Sequence, residues 1–100
     1  MIASTDYLDL RNFIECTFHQ DWDETPGTYG TVVDAALVPE SPDHVRKIAA
    51  DGAALLSSPT TDEDVAAWLT AMDCCVVLEE EGYTPRSFIA MIAERIRARG

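Results

Sequence analysis

The sequence predicts an all-α fold, a single compact bundle of about five amphipathic helices. Apolar residues recur at spacings of three and four in five segments of the chain. Proline, glycine or short polar residues stand between these segments, where helices start and end. Hydrophobic residues form 47% of the 100-residue chain, which is enough for a packed core. We therefore expect residues 1–100 to form one domain.

The first two helices are predicted from their apolar faces. The first begins near Thr5 and ends near Phe18, and Asp6 and Asp9 fall in its first turn, where carboxylates suit the helix dipole. Its stripe comprises Tyr7, Leu10, Phe13, Ile14, Thr17 and Phe18. Thr25-Pro26-Gly27 then interrupts the chain. The second helix carries Tyr29, Val32, Val33, Ala36 and Leu37 on one face, although Gly30 and the valines work against it.

Start signals define the other three helices. Ser41-Pro42-Asp43 opens the third, which runs to about Leu56, because serine caps helices and proline fits their first position. Its inward face carries Val45, Ile48, Ala49, Gly52, Leu55 and Leu56. Thr61 and Asp64 predict a capping box for the fourth helix, and Thr84-Pro85 opens the fifth. Their apolar faces are Val65, Trp68, Leu69 and Met72, and Phe88, Ile89, Ile92, Ala93 and Ile96.

The segment between the fourth and fifth helices is predicted to be an extended, partly buried connector. It begins with Cys74-Cys75-Val76-Val77-Leu78 and continues through three glutamates to Gly82. A lone strand would have no partner in an all-helical chain. All three cysteines, Cys16 included, have apolar neighbours and no basic residue close in sequence. We therefore expect small buried hydrophobes, not disulfides or redox groups.

The net charge of −11 limits the classes of partner. Residues 1–81 hold 17 acidic residues against three basic ones, whereas residues 82–100 hold one acidic residue against four arginines. Such a surface repels nucleic acid and anionic membranes and attracts basic proteins, although solubility alone also explains it. The chain shows neither a signal peptide nor an apolar run of about 20 residues, so we expect a cytoplasmic location.

The sequence provides little support for a catalytic site, a metal site or a cofactor site. His19-Gln20-Asp21-Trp22-Asp23 gathers polar side chains, but no second histidine lies within ligand spacing. We expect Trp22 to anchor this turn while one of the two aspartates caps backbone amides. No nucleophile elbow or phosphate-binding loop is present. The chain is therefore predicted not to be an enzyme and to need no metal or cofactor.

Three acidic clusters are candidates for partner contact. They are Asp21/Asp23/Glu24, Asp62/Glu63/Asp64 and Glu79/Glu80/Glu81. The middle cluster suits a first helical turn. Its three acidic residues also exclude a DNA-reading helix there, because that helix carries no basic residue. Glu79, Glu80 and Glu81 lie on the connector, where no helix dipole favours them. They are therefore ranked first as partner-binding residues, and Asp21, Asp23 and Glu24 second.

An ordered set of segments resembles the short all-helical immunity proteins of bacterial contact-dependent growth inhibition. Residues 10–16 lead into Phe18-His19-Gln20-Asp21-Trp22-Asp23, and Glu40-Ser41-Pro42 and residues 83–88 follow. The resemblance spans residues 7–97. At Asp73-Cys74-Cys75-Val76-Val77 the chain departs from the family, which tends to have glycine and cysteine followed by aromatic residues.

The resemblance implies a protein that binds and neutralises the toxic C-terminal domain delivered by a neighbouring cell. Many such toxins are nucleases with basic clefts, which an acidic protein suits. The signature residues Phe18, His19, Asp21, Trp22 and Asp23 are expected to define the fold. Two alternatives stay open, an acidic helical adaptor or homodimer without a toxin partner, and a small enzyme or thiol switch using Cys74/Cys75 or His19/Asp21.

Overall fold

The computed structural model describes residues 2, 6–18, 28–72 and 78–98. Within these residues the chain forms five α-helices and one short 3₁₀ helix, without a β-strand. The all-α prediction is therefore confirmed. The helices are α1 Leu8–Thr17, α2 Tyr29–Leu37, α3 Pro42–Ser57, α4 Asp62–Ala71 and α5 Pro85–Ala98, and the 3₁₀ helix is Leu78–Glu81.

α5 is the central element of the bundle. It packs mainly against α3 and also contacts α2 and α4, while α1 packs chiefly against α3. Apolar side chains from all five α-helices meet in one core. The radius of gyration is 12.4 Å, close to the roughly 13 Å expected for a compact chain of this length. No helix in the described part of the chain is long and apolar enough to cross a membrane.

Four aromatic side chains join the ends of several elements. Phe88 of α5 lies 5.3 Å from Phe18 and 6.2 Å from both Tyr29 and Tyr83, measured between ring centroids. Tyr29 stacks on Tyr83 at 6.2 Å with an interplanar angle of 20°. These contacts hold the start of α2 and the segment that precedes α5 against the end of α1. We call the four residues the aromatic cluster.

Local capping signals act as predicted. The backbone N–H of His44 donates to the Ser41 hydroxyl at 3.2 Å, at the start of α3. Thr61 and Asp64 form the predicted capping box of α4, with bonds of 3.1 and 3.2 Å. Thr28 caps α2 through its own reciprocal bonds with Thr31. These residues satisfy amide groups that the first helical turn leaves without partners.

α2 forms despite Gly30 because this glycine admits a neighbouring side chain. A Cβ atom built on Gly30 would lie 2.3 Å from Nη2 of Arg95, so a larger residue here would displace the end of this flexible side chain. Arg95 also binds the Asp34 carboxylate at 3.0 Å. Contact with α5 thus overrides the low helix propensity of glycine.

Three sequence-based expectations are corrected. α1 begins at Leu8, not near Thr5, because Tyr7 has a φ of 55° and cannot continue the helix. Cys16 is exposed because it falls between the buried positions of the α1 stripe. Leu78–Glu81 is a 3₁₀ helix and not extended, closed by a bond from the Tyr83 N–H to the Leu78 carbonyl at 3.0 Å. Cys74 and Cys75 lie outside the described residues.

Candidate functional site

Six acidic residues gather where α2, α4 and α5 begin. The Asp62 carboxylate accepts a hydrogen bond from the Arg86 N–H at 3.0 Å, which brings the starts of α4 and α5 together. The Glu81 carboxylate accepts from the Tyr29 N–H at 3.0 and 3.2 Å, which brings the 3₁₀ helix to the start of α2. We call this surface the acidic end; its residues are Asp62, Glu63, Asp64, Glu79, Glu80 and Glu81.

Glu81 has a structural role that the sequence did not reveal. Its carboxylate sits at the N-terminus of α2, where the helix dipole and unpaired amides favour negative charge. The premise that no helix dipole favours the three consecutive glutamates is therefore wrong for Glu81, because the helix concerned lies 52 residues earlier. Glu79 and Glu80 are exposed. All three glutamates are exposed, so the top-ranked cluster divides into Glu81, which also caps α2, and its two neighbours.

Replacing Glu81 by alanine is expected to lower the free energy of unfolding by about 1 kcal/mol, the usual cost of losing a helix cap. Alanine leaves the Tyr29 N–H without its carboxylate acceptor. The matched control is Glu80→Ala, which removes the same charge from the neighbouring exposed position. Urea denaturation of both variants measures the difference. Equal stability of the two variants would contradict the capping role.

In the part of the chain that the structure describes, arginine side chains elsewhere are paired with acidic residues of their own surroundings. Arg11 binds Glu15 at 3.1 Å, and Arg97 lies 3.5 Å from Glu94. Arg86 lies near the acidic end, but its guanidinium donates to the Leu56 carbonyl in the last turn of α3 and to the Thr60 carbonyl in the segment that follows α3. The exposed glutamates of this end therefore carry charge that the arginine pairs do not neutralise.

An open groove of about 420 Å³ runs between α1 and α2. α1 packs mainly on α3 and α2 on α5, and the small side chains of Ala35 and Ala36 leave the space between the two helices unfilled. The groove is lined by Asn12, Phe13, Cys16, Thr17, Val32, Ala35, Ala36, Glu40 and His44. The sequence did not reveal this groove, since its lining residues are far apart in the chain.

One end of this groove is acidic. His44 forms a hydrogen bond through Nδ1 with the Glu40 carboxylate, and its Nε2 lies 3.6 Å from an oxygen of Asp9. Two carboxylates thus flank one imidazole at this end of the groove. Glu40 itself lines the groove.

The remaining predicted site residues are placed only in part. Phe18 is fully buried in the aromatic cluster. His19, Asp21, Trp22, Asp23 and Glu24 lie outside the described residues, so the second-ranked acidic cluster stays a prediction. Among the side chains that the structure places, no group of three or more His, Cys, Asp or Glu could hold a metal ion.

Comparison with known proteins adds one finding to this geometry. The model of the CdiI immunity protein family matches residues 6–96. The curated proteins and the solved structures gave no match. The family match runs from the residues before α1 almost to the end of α5, so it includes α1 to α4 and most of α5. The chain therefore belongs to the CdiI immunity protein family, whose members give immunity against toxins of contact-dependent growth inhibition.

Proposed function

We propose that this chain neutralises its cognate toxin domain by stoichiometric contact in the cytoplasm, with no catalytic step of its own. Family membership supports a role against a contact-dependent growth inhibition toxin. The net charge of −11 supports a toxin domain with a basic surface, and we propose that this domain is a nuclease. The same charge speaks against nucleic acid as a direct partner, because phosphate groups require a basic surface.

The acidic end is the observation that carries this proposal. Residues 62–64 lie beside the start of α5 through the bond from the Arg86 N–H to Asp62, and residues 79–81 precede α5 in the chain and contact the start of α2. Glu63, Glu79 and Glu80 are exposed there. A nuclease cleft is lined by cations that bind phosphate groups, and a row of carboxylates offers those cations the same charge.

Charge of this kind acts first on the rate of association. Opposite fields steer two proteins toward the productive orientation and raise the association rate constant, an effect that salt screens. Glu79 and Glu80 are the proposed contacts with the toxin, because both are exposed. Glu81 supports them by fixing the 3₁₀ helix against α2. Asp21, Asp23 and Glu24 are proposed as a second contact region.

The test uses the toxin domain encoded by the gene immediately upstream. It measures how the purified toxin domain binds to this chain. We expect a one-to-one complex whose association rate falls as salt rises. Replacing Glu79 and Glu80 together by glutamine should weaken the affinity by at least about tenfold, mainly through slower association. Surface plasmon resonance at two salt concentrations gives both rates.

The matched control is the double variant Asp43→Asn and Glu94→Gln. It removes the same number of charges from exposed positions away from the acidic end, where Asp43 pairs with Arg46 and Glu94 with Arg97. Its affinity should change by less than about threefold, as is usual for exposed ion pairs. If the two double variants lose the same amount of affinity for the toxin domain, the acidic end is not the contact surface. Absence of any complex with the toxin domain would refute the proposed function.

A further inference from the structure

The groove between α1 and α2 combines an apolar floor with an acidic end. Phe13 and Val32 are buried beneath it, and Ala35 and Ala36 contribute methyl groups. At one end the Glu40 carboxylate lines the groove and is 31% exposed. Among the lining residues that the structure describes, none is a lysine or an arginine. The space therefore suits a side chain that is apolar along its length and cationic at its tip.

Lysine and arginine have this shape and charge. Their aliphatic stems cover apolar surface while the charged group stays in contact with water or a carboxylate. At the Glu40 end, carboxylates lie on both sides of the His44 ring, because Asp9 faces its Nε2, so acidic groups outnumber the one basic group there. A hydrophobic side chain would fill the floor but would bring no positive charge to the two carboxylates around His44.

We infer that the groove between α1 and α2 binds a lysine or arginine side chain of the toxin domain. This inference rests on the proposed function, and it assigns a second contact on the same partner. The stem of the toxin residue lies along Phe13, Val32 and Ala35, and its cationic group reaches the Glu40 carboxylate. An aliphatic stem in an apolar groove and a cation on a carboxylate together favour slow dissociation.

α2 places the groove and the acidic end within reach of one partner. Its N-terminus touches Glu81 at the acidic end, and its C-terminal half lines the groove as far as Glu40. The helix has nine residues, so about 14 Å separates its two ends. An ordinary protein interface of about 800 Å² on each partner covers such a distance.

The test compares two substitutions in the groove with two matched controls. Ala35→Trp fills the groove from an exposed position on α2, and Ala50→Trp places the same side chain on the outer face of α3. Glu40→Gln removes the charge at the groove, and Asp43→Asn removes an equal charge three residues away at an exposed site. Circular dichroism melting of all four variants shows that each is folded.

We expect Ala35→Trp and Glu40→Gln each to weaken binding of the toxin domain by at least about tenfold, through faster dissociation. The two controls should change it by less than about threefold. If Glu40→Gln matches Asp43→Asn while Ala35→Trp weakens binding, an uncharged segment occupies the groove and the inference is wrong. If both groove variants match their controls, the groove is not a contact. In each case binding by the unsubstituted chain still supports the proposed function, whereas its failure to bind counts against the function itself.

Discussion

Replacing Phe88 by alanine is expected to lower the free energy of unfolding by about 3–5 kcal/mol, the usual cost of deleting a buried aromatic ring. Phe88 is fully buried and touches Phe18, Tyr29 and Tyr83. These partners belong to different elements, so the cavity cannot close by the movement of one helix alone. A domain of this length has a total stability of about 5–15 kcal/mol, so the variant loses a large fraction of it.

Urea denaturation followed by circular dichroism measures this loss. The midpoint should fall while the dependence of stability on urea stays the same, because both proteins expose similar surface on unfolding. Leu8→Ala is the control, since Leu8 is an apolar residue with 49% of its surface exposed. It should change stability by less than about 0.5 kcal/mol. A Phe88→Ala variant within 1 kcal/mol or so of the parent would contradict a central role for the aromatic cluster.

Signals that act within one helix were readable from the sequence. Ser41 and the pair Thr61/Asp64 cap helices through bonds that span three residues, and the sequence predicted each of them correctly. The apolar faces of the helices were predictable for the same reason, because neighbours at spacings of three and four share one face. The helix α2 with its apolar face also followed from periodicity, even though Gly30 lowers its helix propensity.

Contacts between distant segments were not readable. Asp51 of α3 accepts hydrogen bonds from the N–H groups of Asp9 and Leu10, at 3.0 and 3.1 Å, and so caps α1 from 41 and 42 residues away. Glu81 and Asp62 act in the same way at the starts of α2 and α5. The sequence shows a carboxylate in each case, but only the fold shows which amide groups it meets.

These three carboxylates change the meaning of the large negative charge. Asp51, Asp62 and Glu81 stabilise helix N-termini, where unpaired amides and the helix dipole favour an anion. Part of the acidity therefore belongs to the fold, and only the remaining exposed carboxylates are available to a partner. The sequence predicted residues 79–81 as a contact region, and this stays a prediction. The sequence revealed neither the capping role of Glu81 nor the groove beside α2.

Arg86 is a cation that binds backbone carbonyls near the end of α3, as the three carboxylates bind amide groups at helix starts. Its replacement by alanine is expected to lower the free energy of unfolding by about 2 kcal/mol. Its guanidinium donates to the Leu56 carbonyl at 2.5 Å and to the carbonyl and hydroxyl of Thr60 at 2.5 and 2.9 Å. Leu56 lies in the last turn of α3, where carbonyl groups lack partners within the helix. The site is only partly buried, so water replaces some of the lost bonds and the cost stays below their sum.

Arg97→Ala is the control for this variant, because Arg97 is 77% exposed and pairs only with Glu94 at 3.5 Å. It should change stability by less than about 0.5 kcal/mol. The two substitutions remove the same charge, so a difference between them reports the carbonyl contacts and not the net charge. If Arg86→Ala and Arg97→Ala have equal melting temperatures, the carbonyl contacts of Arg86 do not stabilise the fold and this prediction is wrong.

The same variant separates stability from binding. Removing Arg86 makes the acidic end more negative while the bond from the backbone N–H of residue 86 to Asp62 is retained. If the acidic end attracts a basic toxin domain, the folded Arg86→Ala protein should associate with that domain at least as fast as the parent, despite its lower melting temperature. Slower association, measured well below the melting transition, would mean that the arrangement of α3 and α5 matters to binding more than the charge does.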